Sequence, residues 1–235
     1  MATEKTEKYE YKIRPVALIE NCFTEKFGIP RQSGRASGVM SRIVFTPDYR
    51  DPESLRDIEG FSHLWLLFGF SESRFDSFSP TARPPRLGGN RRVGVFASRS
   101  PFRPNGLGLS SVKLEKVELS GPSGPVLTVS GADLMNGTPI YDIKPYLPQY
   151  DSHPEADAGY SGLFTSYSLD VLDPSDILSS LPPDIASAAR ECISDDPRPS
   201  YQNDPSRTYH IRLGRFEISF TVSSGTALIT GAGIF

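Results

Sequence analysis

The chain has 235 residues, of which 37% are hydrophobic and 23% are charged, as is typical of a folded globular protein. Its longest apolar stretch, residues 64–70, is too short to span a bilayer, and the charged N-terminus has no apolar signal segment. Only two cysteines are present, and they lie far apart in the sequence. We therefore expect a cytoplasmic protein that does not enter a membrane.

Charge is distributed unevenly along the chain, although the net charge is only −3. Residues 1–150 hold 20 Lys and Arg against 16 Asp and Glu, whereas residues 151–235 hold 5 against 12. Residues 77–114 contain six Arg, one Lys and no acid. This segment predicts a local positive surface that suits a polyanion, with an ordinary solvated loop as the alternative.

The first part of the chain is dominated by short strand patterns. Asp51–Glu59 is the exception and predicts a short helix, with Asp51 as its N-cap and Pro52 in its first turn. The Pro-, Gly- and Arg-rich residues 71–92 predict a long loop of the kind that carries function. Runs of β-branched and aromatic residues predict strands at residues 11–20, 38–46, 63–70, 93–98, 107–119, 126–132 and 139–146. Strands of this number and spacing predict a closed barrel or a sandwich.

The C-terminal part has a different pattern. The polar residues 149–162 mark the best candidate boundary, so we predict one domain over residues 1–150 and a smaller α+β domain over residues 151–235. In the second domain, residues 182–193 predict a helix. Three strands are predicted after the helix, at residues 208–213, 216–222 and 227–230.

Common cofactor motifs are missing from the sequence. No GxGxxG follows a strand and no GxxxxGK[ST] occurs, which argues against a dinucleotide or nucleotide cradle of the usual kind. His63, His153 and His210 have no metal-ligand spacing, so we expect no metal. His63 lies in an apolar run, where a core position is the simpler interpretation.

The densest motif is arginine-rich and rigid. It runs as RPPRLGGN from Arg83 to Asn90, GVFASRS from Gly94 to Ser100, and FRPNG from Phe102 to Gly106. Proline limits the backbone freedom beside these arginines, so less entropy is lost when their guanidinium groups bind an anion. Arginine beside an aromatic side chain favours phosphate or carboxylate contact next to a stacked base. A purely structural turn is the alternative.

Two further segments carry polar groups. In SGADLMNGTPIYDIKPYLP, residues 130–148, strand alternation predicts that Ile140, Asp142, Lys144 and Tyr146 share one face, either as a polar site or as a surface ion pair. The segment DPRPSY, residues 196–201, follows the predicted helix and is either a helix stop or a substrate contact.

These motifs, together with EGFSHLW at residues 59–65, closely resemble the TrmO (TsaA-like) family in sequence and order. The resemblance covers the chain from about residue 11 to its end. It implies a mainly β protein with a single antiparallel β-barrel, unlike Rossmann methyltransferases, and a small α+β C-terminal domain that contacts tRNA. It also implies a homodimer with the active site near the subunit interface. The implied reaction is methylation of N6-threonylcarbamoyladenosine beside the anticodon of tRNA, with S-adenosylmethionine (SAM) as the methyl donor.

The resemblance and the chemistry of the reaction together select candidate site residues. For proton removal from the acceptor nitrogen, or polarisation of its neighbouring carbonyl, the candidates are Asp142, Lys144 and Tyr146. SAM contacts are expected from the FASRS and DLxxGTP segments and nearby apolar residues: Phe96, Ala97, Ser98, Arg99, Leu114, Asp133, Leu134, Thr138 and Ile140. Contacts with the substrate threonyl carboxylate and the anticodon stem-loop are expected from Arg83, Arg86, Phe102, Arg103, Asn105, Arg198 and Tyr201.

Other functions are compatible with the sequence pattern alone. A non-catalytic RNA-binding barrel would use the same arginines, and a SAM-dependent methyltransferase of a small molecule or protein would use the same cofactor site. An enzyme needs a deep cofactor pocket beside the arginines, whereas a binding module needs only the basic surface.

Overall fold

A computed structural model describes residues 10–72, 78–87, 91–164, 167–199 and 201–235. Six of its strands close into an antiparallel barrel in the order β1-β2-β7-β6-β3-β8, and β8 pairs with β1 to complete the ring. Closure leaves none of these six strands as a sheet edge. The barrel strands are β1 Ala17–Glu20, β2 Met40–Phe45, β3 His63–Gly69, β6 Leu107–Glu118, β7 Val126–Ser130 and β8 Pro139–Pro145.

Alternating side chains fill the barrel interior. On β3, Leu64, Leu66 and Phe68 point inward and are buried, as the period of two in this run predicts. Ile19 of β1 and Ile43 of β2 meet them in the same core. Each buried side chain of this size stabilises the fold by about 1.5–3 kcal/mol. The predicted mainly β fold with a closed barrel is confirmed.

Strand β8 departs from strict alternation. Phe68 pairs with Ile140 and the next pair along β3 involves Asp142, so Tyr141 is the extra residue of a β-bulge. Ile140 is therefore fully buried in the barrel, whereas Asp142 and Lys144 point outward. The prediction that Ile140 shares a face with Asp142 and Lys144 is wrong, because the bulge shifts the period by one residue.

The segment after β3 also differs from expectation. The predicted strand at residues 93–98 is wrong beyond Gly94, because β5 (Val93–Gly94) pairs only with β4 (Thr81–Ala82) and a 3₁₀ turn, Val95–Ala97, follows. The end of the RPPRLGGN motif, residues 88–90, lies outside the described residues.

The helix predicted at residues 51–59 is a pair of 3₁₀ turns instead, Pro52–Leu55 and Ile58–Gly60. Asp51 caps the first turn as predicted, since its side chain accepts a hydrogen bond from the Glu53 amide. Asp57, with φ of 65°, separates the two turns because a left-handed residue cannot continue either helix.

The C-terminal part forms a four-stranded sheet with a helix packed against it. The predicted helix is α2 (Pro183–Ser194), following the single-turn α1 (Pro148–Asp151). Strand β9, which the sequence patterns did not predict, runs parallel to β12 at the sheet edge. The sheet order is β10-β11-β12-β9, with β9 Asp170–Leu172, β10 Tyr209–Leu213, β11 Phe216–Ser223 and β12 Thr226–Ile234.

Residues from the N-terminal part contribute to the second core. Phe23, Ala36 and Val39 pack among the buried side chains of α2 and β10–β12, and Phe23 forms an isolated backbone bridge with Leu213. The loop between β1 and β2 is thereby fastened to the C-terminal sheet. No helix among the described residues has the length and apolarity needed to cross a bilayer.

Candidate active site

A large open groove of about 2020 Å³ runs along the arginine-rich loops. It is lined by residues from the β1–β2 loop, the segment between β3 and β6, the loop after α1 and the end of α2. Two aspartates, Asp157 and Asp195, are the acidic residues among its described lining. They face seven arginines, so the groove is strongly positive: Arg31, Arg35, Arg83, Arg86, Arg92, Arg99 and Arg103.

Aromatic rings stand beside these cations. Phe78, Phe96 and Phe102 line the groove and are 62%, 76% and 58% exposed. Large apolar side chains with this exposure on a folded protein indicate a surface for ligands. Aromatic faces between arginines suit a nucleobase beside a phosphate or carboxylate.

Backbone turns and neutral acceptors orient two arginines of the GVFASRSPFRPNG segment. The guanidinium of Arg99 donates to the side-chain carbonyl of Gln32 at 2.6 Å, and that of Arg103 donates to the backbone carbonyl of Ser98 at 2.9 Å. Because both acceptors are uncharged, these contacts fix the side chains without neutralising them. Asn105 lies in the exposed turn after Arg103 and is outside the described groove lining.

Arg86 and Arg35 have a different environment. Both reach the carboxylate of Asp195 at the end of α2, Arg35 at 2.7 Å and Arg86 at 3.4 Å. The guanidinium of Arg86 also lies 5.5 Å from the ring centroid of Tyr167. Burial, and then the charge of Arg86, lower the pKa of Arg31 nearby. Arg83 and Arg92 also line the groove.

The predicted SAM contacts fall into two groups, residues that line the groove and residues that are buried in the barrel. Phe96, Ala97, Ser98 and Arg99 line the groove, as expected. Leu134, Thr138 and Ile140 are buried, and Leu114 packs against the barrel core. These four side chains support the barrel wall and offer little surface to a ligand.

Asp133 is half-buried and is not among the described residues that line the groove. Burial raises the pKa of its carboxyl group, and the Ser110 hydroxyl and the charge of Arg99 oppose that shift. Ser110 donates to this carboxylate at 2.5 Å. A half-buried carboxylate next to Arg99 is a suitable acceptor for hydroxyl or amino groups.

Asp142, Lys144 and Tyr146 are brought together, but on the outer barrel surface. The Lys144 ammonium lies 3.2 Å from the Asp142 carboxylate, and both side chains are largely exposed. The Tyr146 ring lies 5.5 Å from that of Trp65, whose indole donates to Asp151 at 3.0 Å. None of the three is among the described residues that line the groove.

The two candidate residues of the DPRPSY segment, Arg198 and Tyr201, have different environments. Arg198 is only 7% exposed, and its guanidinium makes bonds of 2.8 and 3.0 Å to the two carboxylate oxygens of Asp196. This ion pair holds the chain after α2, and the RNA contact expected of Arg198 stays a prediction. Tyr201 is 65% exposed and remains available to a ligand.

The loop between β1 and β2 also contributes to the groove, which the sequence motifs did not predict. Arg31, Gln32 and Arg35 follow Pro30 in the loop between β1 and β2 and line the groove. The spacing of arginines next to proline and glycine in PRQSGR is the same signal that marked the later loop, but the two segments are about 50 residues apart.

Comparison with known proteins decides the family. A family model described as the tRNA-methyltransferase O N-terminal domain matches residues 18–152, and one for the TrmO C-terminal domain matches residues 174–232. The chain belongs to the TrmO family. The resemblance drawn from its motifs is therefore confirmed.

Relatives of this TrmO-family chain match it over nearly their whole length. The tRNA (adenine(37)-N6)-methyltransferase of Escherichia coli is 36% identical, over 91% of this chain and 94% of its own. A Pseudomonas aeruginosa protein described as a putative S-adenosylmethionine-dependent methyltransferase is 38% identical, over 88% and 91%. The crystal structure of TrmO from P. aeruginosa superposes with a TM-score of 0.78 and 29% identity, covering 96% of this chain and 98% of that one.

Proposed function

We propose that this chain transfers a methyl group from SAM to N6 of the adenosine at position 37 of tRNA, next to the anticodon. The observation that carries the proposal is the positive groove with its exposed aromatic rings, formed by the family's motif segments. Two relatives that match 91% and 72% of this chain are named for this activity. A tRNA substrate also agrees with a cytoplasmic location.

The groove residues fit SAM. Phe96 offers an exposed apolar face for adenine. The Asp133 carboxylate lies outside the described lining but interacts with the charge of Arg99, and it offers an acceptor for ribose hydroxyls or the amino group. Ser98 and Arg99 add a hydroxyl and a cation next to them. When bound, SAM supplies an electrophilic methyl group on a sulfonium sulfur. Residues that align it with the acceptor nitrogen lower the barrier by several kcal/mol, in order of magnitude.

We further propose N6-threonylcarbamoyladenosine as the acceptor. Its N6 belongs to a urea, so the lone pair is delocalised and the nitrogen is a weak nucleophile. Asp142 is our candidate to accept the N6 proton, with Lys144 and Tyr146 positioned to polarise the carbonyl or adjust the basicity of Asp142. The N6 proton would pass to the Asp142 carboxylate, and the electron pair on N6 would form the new N–CH₃ bond as the S–CH₃ bond of SAM breaks, leaving S-adenosylhomocysteine.

The arginines recognise the anionic parts of the substrate in this proposal. Arg83, Arg86 and Arg103 contact backbone phosphates and the threonyl carboxylate, for which the guanidinium fork is suited. Phe102 stacks on a splayed base of the single-stranded loop. Tyr201 extends the RNA contact into the C-terminal part.

The proposal includes a homodimer, because the groove and the proposed proton-transfer residues lie apart in one chain. Asp142, Lys144 and Tyr146 lie on the outer barrel surface and outside the described groove lining. A second copy that packs against this surface brings a groove to these residues, so each active site is built from two chains. The same arrangement gives the exposed Asp142–Lys144 pair a partially dehydrated environment, in which its charges act more strongly.

The direct test incubates the purified chain with methyl-labelled SAM and cellular tRNA, followed by nuclease digestion and mass spectrometry of the nucleosides. The proposal expects label in N6-methylated adenosine derivatives from position 37. Label at another nucleotide would contradict the assigned position. RNA binding without any incorporation would identify a binding module instead of an enzyme.

A further inference from the structure

Asp195 is an acid in an electrostatically unfavourable place. It is the C-cap of α2, where the negative end of the helix dipole disfavours a carboxylate, and its side chain is only 5% exposed. A second acid, Asp196, follows it directly. Burial of such a carboxylate requires cations and hydrogen-bond donors to compensate the loss of water.

Those partners come from the positive groove. Oδ1 of Asp195 accepts from Nε of Arg35 at 2.7 Å and from Arg86 at 3.4 Å, while Oδ2 accepts from the backbone N–H of Arg31 at 3.1 Å. Arg86 also donates to the backbone carbonyl of Asp195 at 3.1 Å. One residue at the end of α2 thus connects two loops of the barrel part, the β1–β2 loop and the RPPR segment.

The guanidinium group of Arg86 is contacted on its planar face as well as along its edge. Its guanidinium lies over the ring of Tyr167, and the Tyr167 hydroxyl donates to the carboxylate of Asp196 at 2.8 Å. The planar guanidinium is therefore restrained in position and in orientation. Because the side chain is already restrained, less conformational entropy is lost when it binds a ligand, and the affinity is correspondingly higher.

A carboxylate at this position also weakens the groove as a general attractor of RNA. The hydrogen bonds of Arg99 and Arg103 go to neutral acceptors, whereas Asp195 offsets part of the charge of Arg35 and Arg86. Non-specific RNA affinity depends on the number of uncompensated cations. Asp195 thus lowers the non-specific affinity of the groove for RNA and, in return, fixes the positions of the Arg35 and Arg86 side chains.

We propose that Asp195 is a positioning residue for substrate recognition: it fixes Arg35 and Arg86 in the geometry that binds the anionic groups of the correct tRNA. This inference rests on the proposed function and adds the source of its selectivity. It predicts that removal of the negative charge makes the groove bind RNA more tightly in general and process its substrate less well.

The test compares Asp195→Asn with wild type and with Asp184→Asn, which removes an exposed acid from the first turn of the same helix. We measure kcat and KM for tRNA methylation, SAM affinity by calorimetry, and binding of an unrelated RNA hairpin across a salt series. For Asp195→Asn we expect kcat/KM to fall about 10- to 100-fold, hairpin binding to strengthen, and SAM affinity to stay unchanged. Asp184→Asn should match wild type in all three.

An increase or no change in kcat/KM, together with stronger hairpin binding, would overturn the proposal, because Asp195 would then be only a negative charge in the groove. If Asp195→Asn does not fold, Arg86→Lys serves instead, since it keeps the charge and loses the fork that Asp195 holds. It should show the same fall in kcat/KM, and wild-type kinetics in that variant would equally overturn the proposal. Absence of methylation by the wild-type protein would contradict the proposed function rather than the role of Asp195.

Discussion

The hydroxyl of Ser110, on barrel strand β6, donates a 2.5 Å hydrogen bond to the carboxylate of Asp133, in the turn before β8. This bond holds the Asp133 side chain against the wall of the barrel. Burial raises the pKa of Asp133, with the Ser110 bond and the charge of Arg99 acting in the opposite direction. A carboxylate kept half-buried at a cost to stability is typical of a functional site.

Substitution of Asp133 by Asn should change stability and SAM binding in opposite directions. Because its pKa is raised in the fold, ionised Asp133 reduces the free energy of unfolding at pH 7, and Asp133→Asn should increase it. The difference should shrink as the pH falls through the raised pKa and vanish below about 3.9, the ordinary pKa of Asp, where the group is protonated in both states. Urea unfolding at several pH values measures this.

The same variant should bind SAM about 10- to 100-fold more weakly, since it loses a charge-assisted contact. Asp48→Asn, an exposed acid far from the groove in sequence, is the control and should change neither quantity. A destabilised Asp133→Asn variant at pH 7 with normal SAM affinity would contradict both assignments.

Phe96 and Phe102 should report on different ligands. We expect Phe96→Ala to weaken SAM binding and Phe102→Ala to weaken tRNA binding, each by about 1–3 kcal/mol if the ring stacks on a base. Both side chains are more than half exposed, so neither variant should lose much stability. Calorimetry with SAM and filter binding with tRNA on both variants check the assignment, and equal losses for both ligands in both variants would refute it.

The sequence predicted the parts of the fold that depend on local periodicity. The strand predicted at residues 63–70 contains β3, and the helix predicted at 182–193 lies within one residue of α2 at each end. The bulge at Tyr141 could not be predicted, because it depends on how β8 pairs with β3 rather than on its own pattern. Alternation therefore misplaced Ile140.

Site residues could be predicted where several arginines and aromatic residues lie close together in one segment of the sequence. Arg99 and Arg103 lie in such a segment and line the groove. Arg198 belongs to an equally suggestive motif, yet it is buried because Asp196 two residues earlier is its partner. The contribution of Arg31 and Arg35 depends on the contact between the β1–β2 loop and the end of α2, which only the tertiary fold reveals.

Arg198 should prove structural. Arg198→Ala leaves the Asp196 carboxylate buried without its cation, and we expect the free energy of unfolding to fall by about 3–5 kcal/mol. Arg207→Ala provides a comparison, because Arg198 and Arg207 lie over the same Tyr209 ring, at 5.6 and 5.2 Å from its centroid, but Arg207 is exposed. Thermal melts of both variants make the comparison, and equal stability of Arg198→Ala and wild type would show that the buried ion pair does not support the fold.

Mixing of inactive subunits should test the shared active site. Arg103→Ala removes a groove cation and Asp142→Asn removes the proposed proton acceptor on the outer barrel surface. If each site uses the groove of one chain and Asp142 of the other, mixed dimers contain one intact site and recover part of the wild-type activity. Co-refolding of the two variants followed by a methylation assay measures the recovery. No recovery despite dimer exchange would place both residues in the same chain's site.

The most direct measurement of the central claim compares methyl transfer from labelled SAM to the same tRNA with and without the threonylcarbamoyl group at adenosine 37. The groove arginines lose a charge-assisted contact when the substrate carboxylate is missing, and a site built to bind such a group can discriminate against a substrate that lacks it by about 10⁴-fold. We predict rapid methylation at N6 of the modified tRNA and rates lower by orders of magnitude on the unmodified transcript. Equal rates on the two RNAs, or no transfer to either, would contradict the account.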